Sequence, residues 1–91
     1  MSIVSLGDQE LVKLYVNGNE KAFELLIRRH KDRVYRFILS KIKDPELAND
    51  YFQDTFMKVI VTLKGGNYNE EGKFLPWVLR IAHNLIIDGF R

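Results

Sequence analysis

The sequence of 91 residues contains no cysteine, only two prolines and a single tryptophan. Without cysteine there is no disulfide and no thiolate metal site, which fits a reducing compartment, so the cytoplasm is the expected location. No apolar run approaches the roughly 20 residues that a membrane-spanning helix needs, so membrane insertion is not expected. The opening residues, Met1 to Leu6, lack the basic stretch and hydrophobic run of a secretory signal. Also missing are a His-Glu-x-x-His pair, a glycine-rich phosphate motif and a nucleophile elbow. The two histidines, His30 and His83, fall in separate periodic stretches, and His83 and Asp88 are badly spaced to share a metal. Asp50 and Asp54, four apart, have the spacing to hold Mg²⁺, yet helix-surface carboxylates more often face solvent or a basic partner. No catalytic residue, no metal and no cofactor is expected.

What the chain does contain is enough for one soluble domain over residues 1–91. Apolar residues make up 46% and charged residues 29%, a globular composition with room for one modest core. The net charge of +2 is unevenly spread. Residues 21 to 43 carry eight Lys or Arg against Glu24 and Asp32. Residues 44 to 56 carry Asp44, Glu46, Asp50 and Asp54 and no base. A basic block beside an acidic one suggests two partner surfaces of opposite sign; the plainer reading is a solvated helix face followed by an acidic helix start.

Periodicity predicts an all-α fold, a compact bundle of about four helices, with no strand. The first helix spans about 8–17, with Leu11, Leu14 and Tyr15 apolar, Asp8 as N-cap and Gly18 as stop. A second, at 20–43, has Phe23, Leu26, Ile27, His30, Val34, Phe37, Ile38 and Ile42 on one stripe. Its outer face holds Arg28, Arg29, Lys31, Arg33 and Arg36. Asp44-Pro45 restarts the chain as cap and first helical residue. The third helix, 45–63, has the stripe Ala48, Phe52, Phe56, Val59 and Leu63. Residues 65–73, with three glycines and two asparagines, read as a loop. The fourth helix, about 74–90, buries Val78, Ile81, Ala82, Leu85 and Ile86 and accepts Pro76 in its first turn. Gly89 is expected to weaken its end.

That fourth helix also carries the residue types of nucleic-acid binding. Trp77 lies at the boundary of the apolar stripe and Arg80, Asn84 and Arg91 lie off it, with Tyr68 and Lys73 just upstream. Aromatic faces stack on unpaired bases, Arg neutralises phosphate, and Asn bonds an adenine edge. The structural alternatives stay open at this point: Trp77 in the core, Asn84 on a backbone group, Arg80 paired with an acid of another helix.

Residues 74–91, with Phe74, Trp77, Arg80, Ile81, Ala82, Asn84, Asp88 and Arg91 in register, resemble the end of region 2 in sigma factors of the extracytoplasmic-function (ECF) family. The acidic segment from Asp44 through Gln53, Asp54 and Phe56 to Val59 is similar to that family's next motif upstream. Ala22, Phe23, Leu26, Arg29, His30, Val34 and Tyr35 look like its opening pattern. The resemblance covers about residues 8 to 91, and the three motifs occur in order.

The resemblance implies a domain that binds core RNA polymerase and recognises and melts the promoter −10 element. It implies that the third helix docks on the clamp helices of the polymerase's largest subunit through Asp50, Gln53, Asp54, Met57 and Lys58. It implies that an extruded base of the single-stranded non-template strand is held by Asn67, Tyr68, Asn69, Lys73, Phe74 and Trp77. Arg80, Asn84 and Arg91 would then contact promoter DNA. An anti-sigma factor is a further partner the family suggests, though no residue here identifies one. Asn49, where an acid is frequent, and Pro76, before Trp77, depart from the family pattern. The family's second domain, which reads the −35 element, is not in this chain, so an isolated region 2 is expected. Two rival readings remain: a helical DNA-binding regulator that does not act with polymerase, and a protein-interaction module.

Overall fold

The chain is punctuated where short polar residues can satisfy helix ends. The computed structural model describes residues 3–68 and 73–89. Among these, a single 3₁₀ turn at Ile3–Ser5 precedes four α-helices: α1 (Asp8–Val16), α2 (Glu20–Ile42), α3 (Pro45–Lys64) and α4 (Phe74–Gly89). Asn19 caps α2 by accepting from the Ala22 amide at 3.2 Å. The Asp44 carboxylate caps α3, accepting from the Glu46 and Leu47 amides, with Pro45 at the first helical position.

Two ends differ from expectation. Asp8 is not the cap of α1; Gly7 is, and its amide donates to the Glu10 carboxylate at 3.2 Å. Asp8 is instead the first helical residue, and its carboxylate turns to α2, where two nitrogen donors await it. The second difference is at α2, which stops at Ile42. Lys43 adopts a left-handed conformation with φ of 63°, its amide donating to the Leu39 carbonyl. The reason lies ahead of it: Pro45 excludes helical backbone at Asp44, so the chain must turn within one residue.

α2 packs against α1, α3 and α4, and α3 also packs against α4. A 23-residue helix is about 35 Å long, so α2 sets the long axis of a body 43 × 23 × 19 Å. The core lies where the stripes meet: Leu11, Leu26, Val34, Ile38, Ala48, Val59, Leu63 and Val78 are sealed from solvent. Each large aliphatic side chain removed from water in this way contributes about 2 kcal/mol. An aromatic line joins α1 to α3. Tyr15 stacks on Phe23 with centroids 4.5 Å apart, Phe23 meets Phe56 edge-on, and Phe56 meets Phe52.

Periodicity placed most of this core. It missed Val12, which is buried, and Thr55, a buried polar residue in α3. The Thr55 hydroxyl donates to the Tyr51 carbonyl at 2.7 Å, so its burial leaves no unmet bond. Ile81 and Leu85, expected in the core, are only partly buried. Gly89 is the last described residue of α4. It lies against α3, with the Tyr51 ring over its α-carbon.

Candidate functional site

Three surfaces stand apart from the core. The first is built where the loop after α3 meets the start of α4. Trp77 sits one turn into α4 and Tyr68 closes the described part of the loop. Their ring centroids are 4.3 Å apart at an interplanar angle of 47°. Both rings are partly buried and packed against the core. Lys73, Arg80 and Asn84 are exposed and share a helical face with Trp77, recurring at spacings of four, three and four. Among the described residues, no side-chain hydrogen bond or ion pair engages Lys73, Arg80 or Asn84. The structural alternatives raised for Arg80 and Asn84 are therefore not met. Asp88 occupies the far end of the same face, so positive charge is concentrated in its first turns.

Phe74 sits deeper than its neighbours in the face. It is expected to touch an extruded base, and in this structure its ring is covered, with the residue 2% exposed. Its ring lies against His30 on α2, at 5.7 Å, and against Trp77, at 5.9 Å. The Phe74 ring thus lies between α2 and Trp77. Asn67 is exposed, its amide donating to the Thr62 carbonyl and so holding the first loop residues against the end of α3. Asn69 and Arg91 lie outside the described residues, as does the middle of the loop, residues 69–72. Beside Tyr68 is a hollow of about 190 Å³ lined by Val12, Val16, Leu63 and Gly66, with Lys13 and Asn17 on its α1 side.

The second surface is the outer face of α3. Asp50, Gln53, Asp54, Met57 and Lys58 are all exposed, and no side-chain bond to another described residue engages them. Sequence reasoning overlooked two neighbours. Leu47 and Val61 are also exposed, Val61 by 69% and Met57 by 63%. Leu47, Asp50, Asp54, Met57 and Val61 recur at spacings of three, four, three and four. That is the seam pattern by which one helix packs along another. The signal was present in the sequence: Leu47 and Val61 are apolar side chains off the core stripe of their own helix.

The outer face of α2 is the third charged feature. Arg28, Lys31, Arg33 and Arg36 are exposed along it, and Arg33 and Arg36 flank a shallow groove floored by Phe37 and Leu79. Arg29 is partly spent on structure, binding Asp8 at 3.2 Å and the Val4 carbonyl at 2.8 Å. Among the described residues, no group of three His, Cys, Asp or Glu is placed to hold a metal, and no helix is long and apolar enough to cross a membrane.

The family described as Sigma-70 region 2 matches residues 26–91, which include α3, the loop and α4. The chain is 37% identical over 75 residues to the RNA polymerase sigma factor CarQ of Myxococcus xanthus, covering 82% of this chain and 42% of that protein. It is 35% identical over 66 residues to the ECF RNA polymerase sigma factor SigM of Bacillus subtilis, covering 72% and 39%. With ECF RNA polymerase sigma factor SigW of the same organism the identity is 30% over 80 residues, covering 88% and 42%. The chain thus spans about two fifths of the length of these relatives. No solved structure gives a significant match. On the family match and these identities, the chain belongs to the Sigma-70 region 2 family, in the form found in ECF sigma factors.

Proposed function

We propose that this domain acts in transcription initiation as the part of a sigma factor that binds core RNA polymerase and opens the promoter −10 element. The observation that carries the reading is the Tyr68–Trp77 pair, two part-exposed rings in contact at the junction of loop and α4. They stand at the head of a face bearing Lys73, Arg80 and Asn84. Stacking on an aromatic ring contributes about 1–3 kcal/mol per base. Extruding a base from a duplex costs a few kcal/mol, so one trapped base offsets much of that cost and lets opening nucleate. The hollow beside Tyr68 suits such a base in size, since a cavity of about 150 Å³ already accepts a benzene ring. Cationic side chains on α4 and α2 supply phosphate attraction that does not depend on sequence. No bond is made or broken by the domain.

The polymerase contact belongs to the outer face of α3. An acidic seam with exposed Leu47, Met57 and Val61 suits a partner helix that is apolar along its seam and basic beside it. The expected contact is a helix of the polymerase clamp.

The deciding experiment titrates the domain with fluorescent single-stranded oligonucleotides covering candidate −10 sequences, and with the matching duplexes. The expected result is a sequence preference on single strands that Trp77→Ala reduces about tenfold or more. Duplex affinity equal to or above single-strand affinity, unchanged by Trp77→Ala, would instead favour a DNA-binding regulator that acts without melting.

A further inference from the structure

Beneath the aromatic pair runs a connected row of groups that crosses three helices. Asp8 opens α1, His30 lies midway along α2, and Phe74 opens α4. The Asp8 Oδ2 and His30 Nε2 atoms are 2.8 Å apart. The other carboxylate oxygen takes a bond from Arg29 at 3.2 Å. Held at both oxygens, the carboxylate has one orientation, and it fixes the plane of the imidazole in turn. The His30 side chain is 15% exposed, so a lost partner would not be fully replaced by water. The His30 ring lies against Phe74, Phe74 against Trp77, and Trp77 against Tyr68.

We infer that Asp8 and His30 are positioning residues for the Trp77–Tyr68 pair. They reach no ligand themselves; they hold the seat on which Phe74, and through it Trp77, rests. This rests on the reading that the pair traps an unstacked base. The physical need is clear from the sequence. Phe74 is the first residue of α4 and follows a loop rich in glycine, which imposes little direction on the helix start. Packing from α2 therefore sets where α4 begins and how Trp77 is presented. Capture of a base demands that presentation before binding, because any freedom left in the ring must be lost on stacking. The other groups packed on His30 do not compete for its proton donor. Phe74 is apolar, and the neighbouring cation Arg29 is already engaged with Asp8 and the Val4 carbonyl.

Trp77 is the only tryptophan, so its fluorescence reports this position directly. The test compares the unaltered domain with His30→Leu, His30→Gln and Asp8→Asn. Acrylamide quenching of Trp77, affinity for the single-stranded −10 oligonucleotide, and affinity for a clamp-helix peptide are measured on each. Leu keeps the packing against Phe74 but cannot donate; Gln can still reach Asp8 with an N–H. His30→Leu and Asp8→Asn are expected to increase quenching and to weaken oligonucleotide binding about fivefold, with peptide binding unchanged. His30→Gln is expected to stay within about twofold of the unaltered domain. Unchanged quenching in both His30→Leu and Asp8→Asn overturns the inference. Parallel loss of peptide binding and helicity also overturns it, because the pair would then maintain the fold as a whole. Should the unaltered domain bind no oligonucleotide, base capture fails as a function. The quenching comparison then still decides the positioning role.

Discussion

The hydroxyl of Tyr51 on α3 occupies the place that a β-carbon on Gly89 of α4 would take. Glycine in the last turn of α4 thus leaves room for the Tyr51 side chain, which a β-carbon would displace. Replacing it with alanine gains about 1 kcal/mol in helix propensity but forces the Tyr51 ring aside. The expected net result of Gly89→Ala is a loss of about 1 kcal/mol or more, from overpacking. In a Tyr51→Ala background the same change should stabilise. Urea denaturation of the two single variants and the double variant reads this directly, and a Gly89→Ala effect of the same sign in both backgrounds would sink the explanation.

Lys43 is the described non-glycine residue with positive φ. A left-handed residue with a β-carbon is strained by about 1 kcal/mol or more. Lys43→Gly should therefore raise stability by about 0.5–1 kcal/mol, once the greater freedom of glycine in the unfolded chain is subtracted. A thermal midpoint that falls on this substitution would show that the lysine side chain matters more than its backbone.

Asp44 holds two amides at the start of α3. Asp44→Ala should cost about 1 kcal/mol, and Asp44→Ser should restore most of it, because the hydroxyl can accept the same bonds. Hydrogen exchange at the Glu46 and Leu47 amides, faster in Asp44→Ala and slowed again in Asp44→Ser, checks the local cause.

On the outer face of α3 the expected pattern is reversed. Asp54→Arg, Met57→Ala and Val61→Ala should each shift stability by no more than about 0.5 kcal/mol, since these side chains lie outside the core. Each should nonetheless weaken binding to a clamp-helix peptide, Asp54→Arg most, through repulsion of a basic partner. Oligonucleotide affinity should be untouched. Loss of both activities together would mean that the variants disturb the fold.

Leu26 is fully buried at the crossing of α2 with its neighbours. Leu26→Ala should cost about 2–5 kcal/mol. For a domain of this size that approaches the whole margin of stability. Circular dichroism at 37 °C should show a substantially unfolded population.

The helices were legible in the sequence because their apolar residues repeat with the helical period and their starts are marked by Asn19 and Asp44-Pro45. The aromatic pair was legible only as residue types near a loop. What the sequence could not give was mutual placement. Asp8 reads as a cap because aspartate usually caps; that α2 returns alongside α1 and brings His30 and Arg29 to it is a tertiary fact. Phe74 enters the site only through the family resemblance; that α4 packs on α2 and covers its ring is again a tertiary fact. Thr55 is polar and falls outside the apolar stripe, so periodicity gives no sign of its burial.

The buried and outward stripes of α3 share no residue, and that separation has a consequence for how such a domain can change over generations. Ala48, Thr55, Phe56, Val59 and Leu63 answer to the interior, whereas Leu47, Asp50, Asp54, Met57 and Val61 answer to whatever lies outside. Substitutions on the outward stripe are filtered by partner choice, and those on the inward stripe by folding. A lineage carrying this helix can therefore retune its allegiance one exposed side chain at a time, without passing through an unfolded ancestor.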